Sequence, residues 1–271
     1  MAVLPEVDMA AARAAVAANG ARVASLVRSI EHPTAPALGA WDVAGVAVHL
    51  SHAVDAVTAM ARGAGPLLGD YAELGGFTRM LVEAEGERDV QALAARIEAS
   101  LAGFLVVTAE DDAARRTWFA AGTSMPMSSL VCHVLNELLV HGWDIATADG
   151  KPWPIERAHA ALVVQGFIFP SFANLGRGMV DQEAAAGLRA TYDVRVRGGG
   201  RAVLIFDDGD LTVEPAPSGP VDCHLSVDPV AFLLVGWARM GQWGPIARGK
   251  LFAWGRKPWL GFRLRALLVN P

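Results

Sequence analysis

The stretch Asn136-Glu137-Leu138-Leu139-Val140-His141-Gly142-Trp143-Asp144 sets a carboxylate and an imidazole four residues apart inside a run that otherwise reads as buried helix. Side chains four apart share one side of a helix, about 6 Å from each other along the axis. A glutamate on an apolar helix costs free energy unless something pairs with it. A divalent metal would hold both residues; a hydrogen bond from the imidazole to the carboxylate would also satisfy them. The spacing alone leaves these two readings level. The surrounding run from Met127 to Ala148 closes at Asp149-Gly150, with Pro152 and Pro154 beyond as stop signals, which predicts one long helix.

Working outward from it, the N-terminal half reads as more helices. Asp8 to Ile30 is rich in Ala, Val and Leu, and His32-Pro33-Thr34-Ala35-Pro36 breaks it. A second helix is expected from Val43 to Arg62 with Asp42 as N-cap, then a Gly- and Pro-rich loop from Gly63 to Gly76. A third helix covers Val90 to Thr108. With Met127–Ala148 these make an antiparallel four-helix bundle, and a fifth helical stretch runs from Ile155 to Leu175. From about residue 189 the period changes to two. Thr191–Arg197, Arg201–Phe206 and Val221–Val227 read as strands, Asp207-Asp208-Gly209-Asp210 as a turn, and Asp228-Pro229 as the start of an apolar helix to Met240. A strand over 249–254 and a helix over 257–268 complete an α+β domain. The expected organisation is a bundle over 1–185 and a small α+β domain over 186–271.

Helical phasing sorts the seven histidines. On the long helix the apolar face centres on Leu130, Val131, Val134, Leu138 and Ile145; His141 falls within it, and Glu137 and Asp144 at its edge. His133 falls well away and is expected to point outward. On the second helix the stripe is Val43, Val46, Leu50, Val54 and Val57. His49 flanks it, and His52 lies nearly opposite and should see solvent. Across an interhelical groove His49 can face Glu137 and His141. Two imidazoles and one carboxylate from two helices match a zinc-type site with an open position. Asp144 is a candidate to orient a ligating imidazole, although a plain polar residue in a last turn is the simpler reading.

Bulk properties narrow the classes. Hydrophobic residues make up 53% and charged residues 19%, which marks a globular chain. With 23 basic and 28 acidic residues the net charge is -5, which argues against a nucleic-acid surface. Cys132 and Cys223 stand far apart in no metal or redox spacing, so a reducing cytoplasm is the default location. The N-terminus lacks a signal-peptide pattern, and the most apolar stretch, Ala160–Leu175, is interrupted by Gln165 and Pro170, so no membrane span is expected. The basic residues are nearly all Arg, with Lys only at 151, 250 and 257, a bias of high-GC genomes.

Trp41-Asp42-Val43-Ala44-Gly45-Val46-Ala47-Val48-His49-Leu50 resembles the first signature of the DinB-like, mycothiol-dependent maleylpyruvate isomerase family. Glu137 to Ala146 resembles the second. Residues from about 190 onward are similar to the sterol-carrier-like C-terminal domain often fused in that family, by Asp228-Pro229, Trp237-Ala238-Arg239 and Gly249-Lys250-Leu251. The first signature departs at Ala44 and Gly45, where a charged pair is usual. The resemblance implies a metal triad of His49, Glu137 and His141, a divalent metal that is zinc in type, and mycothiol as the thiol cofactor. It implies a small thiol and a small electrophile as partners; the chain is expected to be a monomer or homodimer, and charge and hydropathy add no nucleic acid and no membrane partner.

The reaction the resemblance implies is thiol addition to an activated double bond, bond rotation and elimination, a cis–trans isomerisation. The same site would serve a thiol S-transferase acting on another electrophile. For an acidic substrate Arg239, Arg248 and Arg79 are candidate partners, with Asp144 and Arg239 placed in catalytic roles; a solvated arginine is the plainer reading of each. Two readings of other classes stay open. One is a ligand-binding protein whose apolar helix, with Phe232, Trp237 and Trp243, lines a pocket. The other is a metal-dependent hydrolase that would need His52 or Asp144 as base. The sequence shows no Ser/His/Asp signature, phosphate-binding Gly loop or dinucleotide fingerprint.

Overall fold

The computed structural model describes residues 4, 6–65, 73–119 and 122–269. These fall into two compact units, one of residues 8–155 and one of residues 156–269 with residues 4, 6 and 7.

The N-terminal unit is built on four long helices: α1 (Met9–Arg28), α2 (Val43–Ala61), α4 (Val90–Val107) and α5 (Met127–Ala148). Three of them start on an aspartate outside the first turn. Asp8, Asp42 and Asp89 each accept from backbone N–H groups of the turn that follows, which satisfies donors a helix end leaves free. α1 and α2 each pack against α4 and α5. Arg13, early in α1, donates to the carbonyl oxygens of Leu105 and Thr108 at the end of α4, so these two run antiparallel. Lys151, just past α5, bonds Ser29 just past α1, so those two run parallel. Met60 and Ala61 at the end of α2 accept from Thr117 and Arg115, on the segment that leads into α5, so α2 lies antiparallel to α5 and two helices run each way. The links from α1 to α2 and from α4 to α5 carry short hairpins, β1 (Pro36–Leu38) with β2 (Trp41–Asp42) and β3 (Arg116–Trp118) with β4 (Ser124–Pro126).

Part of the expected Gly- and Pro-rich loop, residues 66–72, lies outside the described residues. Its far end is not loop: Leu74–Ala84 forms helix α3, which places Arg79 on an exposed helix face.

The C-terminal unit carries a five-stranded sheet in the order β7-β6-β5-β8-β9, from β5 (Arg189–Val196), β6 (Arg201–Asp207), β7 (Asp210–Glu214), β8 (Cys223–Val227) and β9 (Leu251–Trp254). Only β5 and β8 pair in parallel. Asp208, at φ 51°, and Gly209, at φ 86°, make the tight β6–β7 turn. Helix α8 (Pro229–Gly236) starts on Asp228, with proline first inside the helix. The stretch expected as a helix over 257–268 is instead two 3₁₀ pieces, Pro258–Phe262 and Leu264–Leu267.

The expected boundary near 185 moves to 155/156. The stretch Arg157–Leu175, α6 (Arg157–Val163) and α7 (Phe169–Leu175) joined by a π-helical turn, belongs with the sheet because α6 packs on α8 and α7 on β7. Among the described residues, three helical stretches, Val43–Ala61, Val90–Val107 and Arg157–Met179, are long and apolar enough to cross a membrane by length and composition. The sequence predicts no span over Ala160–Leu175 because Gln165 and Pro170 interrupt it, but the helical run continues through both residues to Met179.

Candidate metal centre

The centre begins with the entry to α2. Asp42 Oδ1 accepts from Gly45 N at 2.7 Å and fixes where the helix starts. A Cβ on Gly45 would lie 3.1 Å from that oxygen and 3.4 Å from Trp41 Cβ, so a larger residue would make the cap give by a few tenths of an ångström. Trp41 turns back and stacks on His49, ring centroids 4.9 Å apart. His49 is thereby held toward α5.

On α5, Glu137 and His141 meet it. Glu137 Oε2 lies 3.4 Å from His49 Nε2 and 3.2 Å from His141 Nε2, and the three ligand atoms all lie within 4.8 Å of one another. The His49 and His141 rings pack edge to face at 4.7 Å between centroids. Glu137, His141 and Asp144 are buried, and His49 is nearly so. His141 Nδ1 sits 3.0 Å from Asp144 Oδ2. When that nitrogen carries the proton, the Nε2 of a neutral ring presents a lone pair to the glutamate. Two such nitrogens pointed at one carboxylate oxygen repel it unless a proton or a cation lies among them. The donor set of two imidazoles and one carboxylate is that of a catalytic zinc site with an open position.

The electrostatics say the same. Burial pushes the Glu137 carboxyl up, but hydrogen bonds from His133, His141 and His49 outweigh it and hold the group well below the usual carboxylate range. Burial also disfavours a charged His141, but its bonds to Asp144 and Glu137 raise it to about 9. His49 goes the other way: burial lowers it, and the neighbouring His141 adds to that against a raising bond to Glu137. The pocket thus favours one extra positive charge beside an ionised carboxylate. A metal would compete for the position of that proton.

The structure brings together His49, Glu137, His141 and Asp144 as the sequence spacing suggested. It corrects two histidines. His133 does not point outward: its Nε2 lies 3.3 Å from Glu137 Oε1, and its ring packs on Phe119. The reason is that α5 is buried on nearly every side, from Met127 to Ala146, so phasing against one apolar face cannot tell inside from outside. The pattern His-x3-Glu-x3-His was visible in the sequence and would have found it. His52 does not see open solvent: the Glu85 carboxylate, at the end of α3, comes within 3.5 Å of its Nε2. A further contact the sequence reading missed is Asn136, whose amide donates to Glu137 Oε1 at 3.3 Å. The cluster is made of residues of the N-terminal unit. Arg239 lies in the C-terminal unit and donates to the Trp237 carbonyl oxygen, and Arg248 there is exposed.

A bundle with a buried two-histidine, one-carboxylate cluster on an antiparallel helix pair, followed by a small sheet unit, defines the class. The sequence matches the family described as the mycothiol maleylpyruvate isomerase N-terminal domain over residues 10–146. The chain belongs to that family. Its fold is similar to a solved mycothiol-dependent maleylpyruvate isomerase, at TM-score 0.53 and 11% identity, over 91% of this chain and 93% of that one. A histidine-to-alanine mutant of a mycothiol-dependent maleylpyruvate isomerase matches over the same shares at TM-score 0.51 and 11% identity. No protein of curated function matches the chain by sequence.

Proposed function

We propose that this chain is a metal- and thiol-dependent enzyme of the maleylpyruvate isomerase type, with His49, Glu137 and His141 as ligands of a divalent metal, zinc by donor set, and mycothiol as the thiol. The observation that carries the reading is the convergence of the three ligand atoms within 4.8 Å in a buried pocket. The family match and the fold likeness support the thiol and the reaction class. A metal there would lower the pKa of an incoming thiol so that it reacts as thiolate near neutral pH.

The chain's own residues have separable tasks. Glu137 supplies the negative charge of the site and is kept ionised by the histidines around it. Asp144 holds His141 by Nδ1, so that Nε2 faces inward. Trp41 stacks on one face of His49 and limits the positions its ring can take. Neither cysteine can replace an external thiol: both are buried, with Cys132 pushed up to about 12 and Cys223 to about 11. The net reaction is thiol addition across the cis double bond of an activated diacid, rotation about the resulting single bond, and elimination that returns the thiol.

Elemental analysis tests the ligand set. About one divalent metal per chain is expected, lost in His49→Ala and His141→Ala and retained in His133→Ala. Full metal content in His49→Ala would overturn it. Turnover of maleylpyruvate with mycothiol, and none without it, tests the reaction. Thiol binding without turnover would leave thiol S-transfer to another electrophile as the activity.

A further inference from the structure

Glu137 sits between two histidines on one face of α5, His133 one turn before it and His141 one turn after. Its two oxygens have different neighbours. Oε2 faces the ligand nitrogens, His49 Nε2 at 3.4 Å and His141 Nε2 at 3.2 Å. Oε1 lies 3.3 Å from His133 Nε2 and accepts from the Asn136 amide at 3.3 Å. The His133 ring is itself held, packed edge to face on Phe119 at 5.5 Å between centroids. Among the described residues, the ligand atoms grouped within 4.8 Å of one another are those of His49, Glu137 and His141, and His133 stands outside that group.

A carboxylate can give a metal one oxygen or both. Two donors on Oε1 occupy the lone pairs it would need for coordination, and Oε2 keeps its own turned toward the imidazoles. Were both oxygens to bind, the second would take a position that a catalytic metal keeps open. Hydrogen bonds from neighbouring groups are how proteins fix the way a ligating carboxylate is presented. Water competes little for these two donors, because Asn136 is buried and the His133 side chain is mostly covered. Removing either one leaves a buried oxygen short of a partner.

We propose that His133 and Asn136 are positioning residues that tie up Glu137 Oε1, so that Glu137 gives a divalent metal Oε2 alone and a coordination position stays open for the thiol. The inference rests on the ligand set of His49, Glu137 and His141. It adds two residues that touch the carboxylate and act on the metal only through it. Both are separate from Asp144, which orients His141 from the opposite side of that ring.

The test uses the full chain with two metals: zinc in a chelator competition, and cobalt(II), whose visible absorption weakens as its coordination number rises. At saturating metal His133→Leu should still hold about one metal per chain. Its zinc affinity should fall about tenfold or more. Its cobalt absorption should weaken as Glu137 closes on the metal through both oxygens. His133→Gln, whose amide can donate to Oε1, should recover most of both readings. Asn136→Ala should move both in the same direction by less, which keeps the proposal testable if His133→Leu does not fold. An unchanged cobalt spectrum in His133→Leu overturns it, even with weaker zinc binding, because the role is then only structural. Complete loss of metal from a folded His133→Leu also overturns it and makes His133 a ligand. A parent chain that binds neither metal refutes the ligand set itself, an outcome distinct from the other two.

Discussion

Replacing Gly142 by alanine separates local propensity from tertiary fit. Gly142 lies inside α5, next to His141, and is buried. Helix propensity alone says the change stabilises by about 1 kcal/mol. The structure says the reverse. A Cβ there would lie 2.4 Å from Trp153 Cζ2, 2.5 Å from Cε2 and 2.9 Å from Nε1. Contact distances for carbon begin near 3.5 Å, so the ring must retreat by about 1 Å. It is held on both sides: its Nε1 donates to the Leu139 carbonyl oxygen at 3.2 Å, and the Arg22 guanidinium lies 4.3 Å over its face. Overpacking of this kind costs about 1–3 kcal/mol, and losing the indole hydrogen bond adds about 1 kcal/mol. After the propensity gain, the net expectation is a loss of about 1–3 kcal/mol. Urea unfolding read by tryptophan fluorescence measures it. In a Trp153→Leu background the obstruction is gone, and Gly142→Ala should be neutral or stabilising by up to about 1 kcal/mol. A parent-background Gly142→Ala that unfolds at the same or higher urea would refute the packing argument. So would an equal cost in both backgrounds.

Asp144→Asn should weaken divalent metal binding by about 10–100-fold, because the residue that orients His141 loses its charge while its shape is kept; a competitive chelator titration reads this, and unchanged affinity counts against the orienting role. Asp193 is a buried carboxylate on β5. Burial pushes it up, yet hydrogen bonds from Arg201, Arg195 and His224 overcome that and hold it at about 2, against an ordinary 3.8. Its folded-state pKa is depressed, so its contribution is complete above the unfolded value and lost as pH falls through the folded one. With screening by the half-exposed arginines, it amounts to about 1–2 kcal/mol. The stability gap between the parent and Asp193→Asn should therefore narrow as pH drops from neutral toward about 2, and a gap that is constant with pH would refute the assignment. Iodoacetamide at neutral pH should leave Cys132 and Cys223 unlabelled in the native protein and label both in urea, as mass spectrometry would show; rapid native labelling would contradict the burial that excludes them as nucleophiles.

Sequence by itself determined the elements whose signals are local. The Asp42 cap marks where α2 starts, and the glycine and prolines after Ala148 mark where α5 stops. The change of period near 189 marked the sheet, and Asp228-Pro229 the helix after it. The pair Glu137/His141 followed from helical spacing alone, and its third partner His49 from a flanking position and a matching signature.

Tertiary structure decided whatever depends on what covers a face. His133 and His52 were misplaced because α5 is wrapped on nearly every side and because Glu85 lies over the outer face of α2. Periodicity reports one buried stripe and is blind to a second cover. The unit boundary moved for the same reason: α6 and α7 look like bundle helices, and only their contacts with α8 and β7 assign them to the sheet unit. Gly142 reads as a weak point in a helix until Trp153, eleven residues on, is seen lying against it. Local chemistry wrote the ends of the elements into the chain; the packing of one element on another settled which polar groups face the centre and which glycine admits a ring.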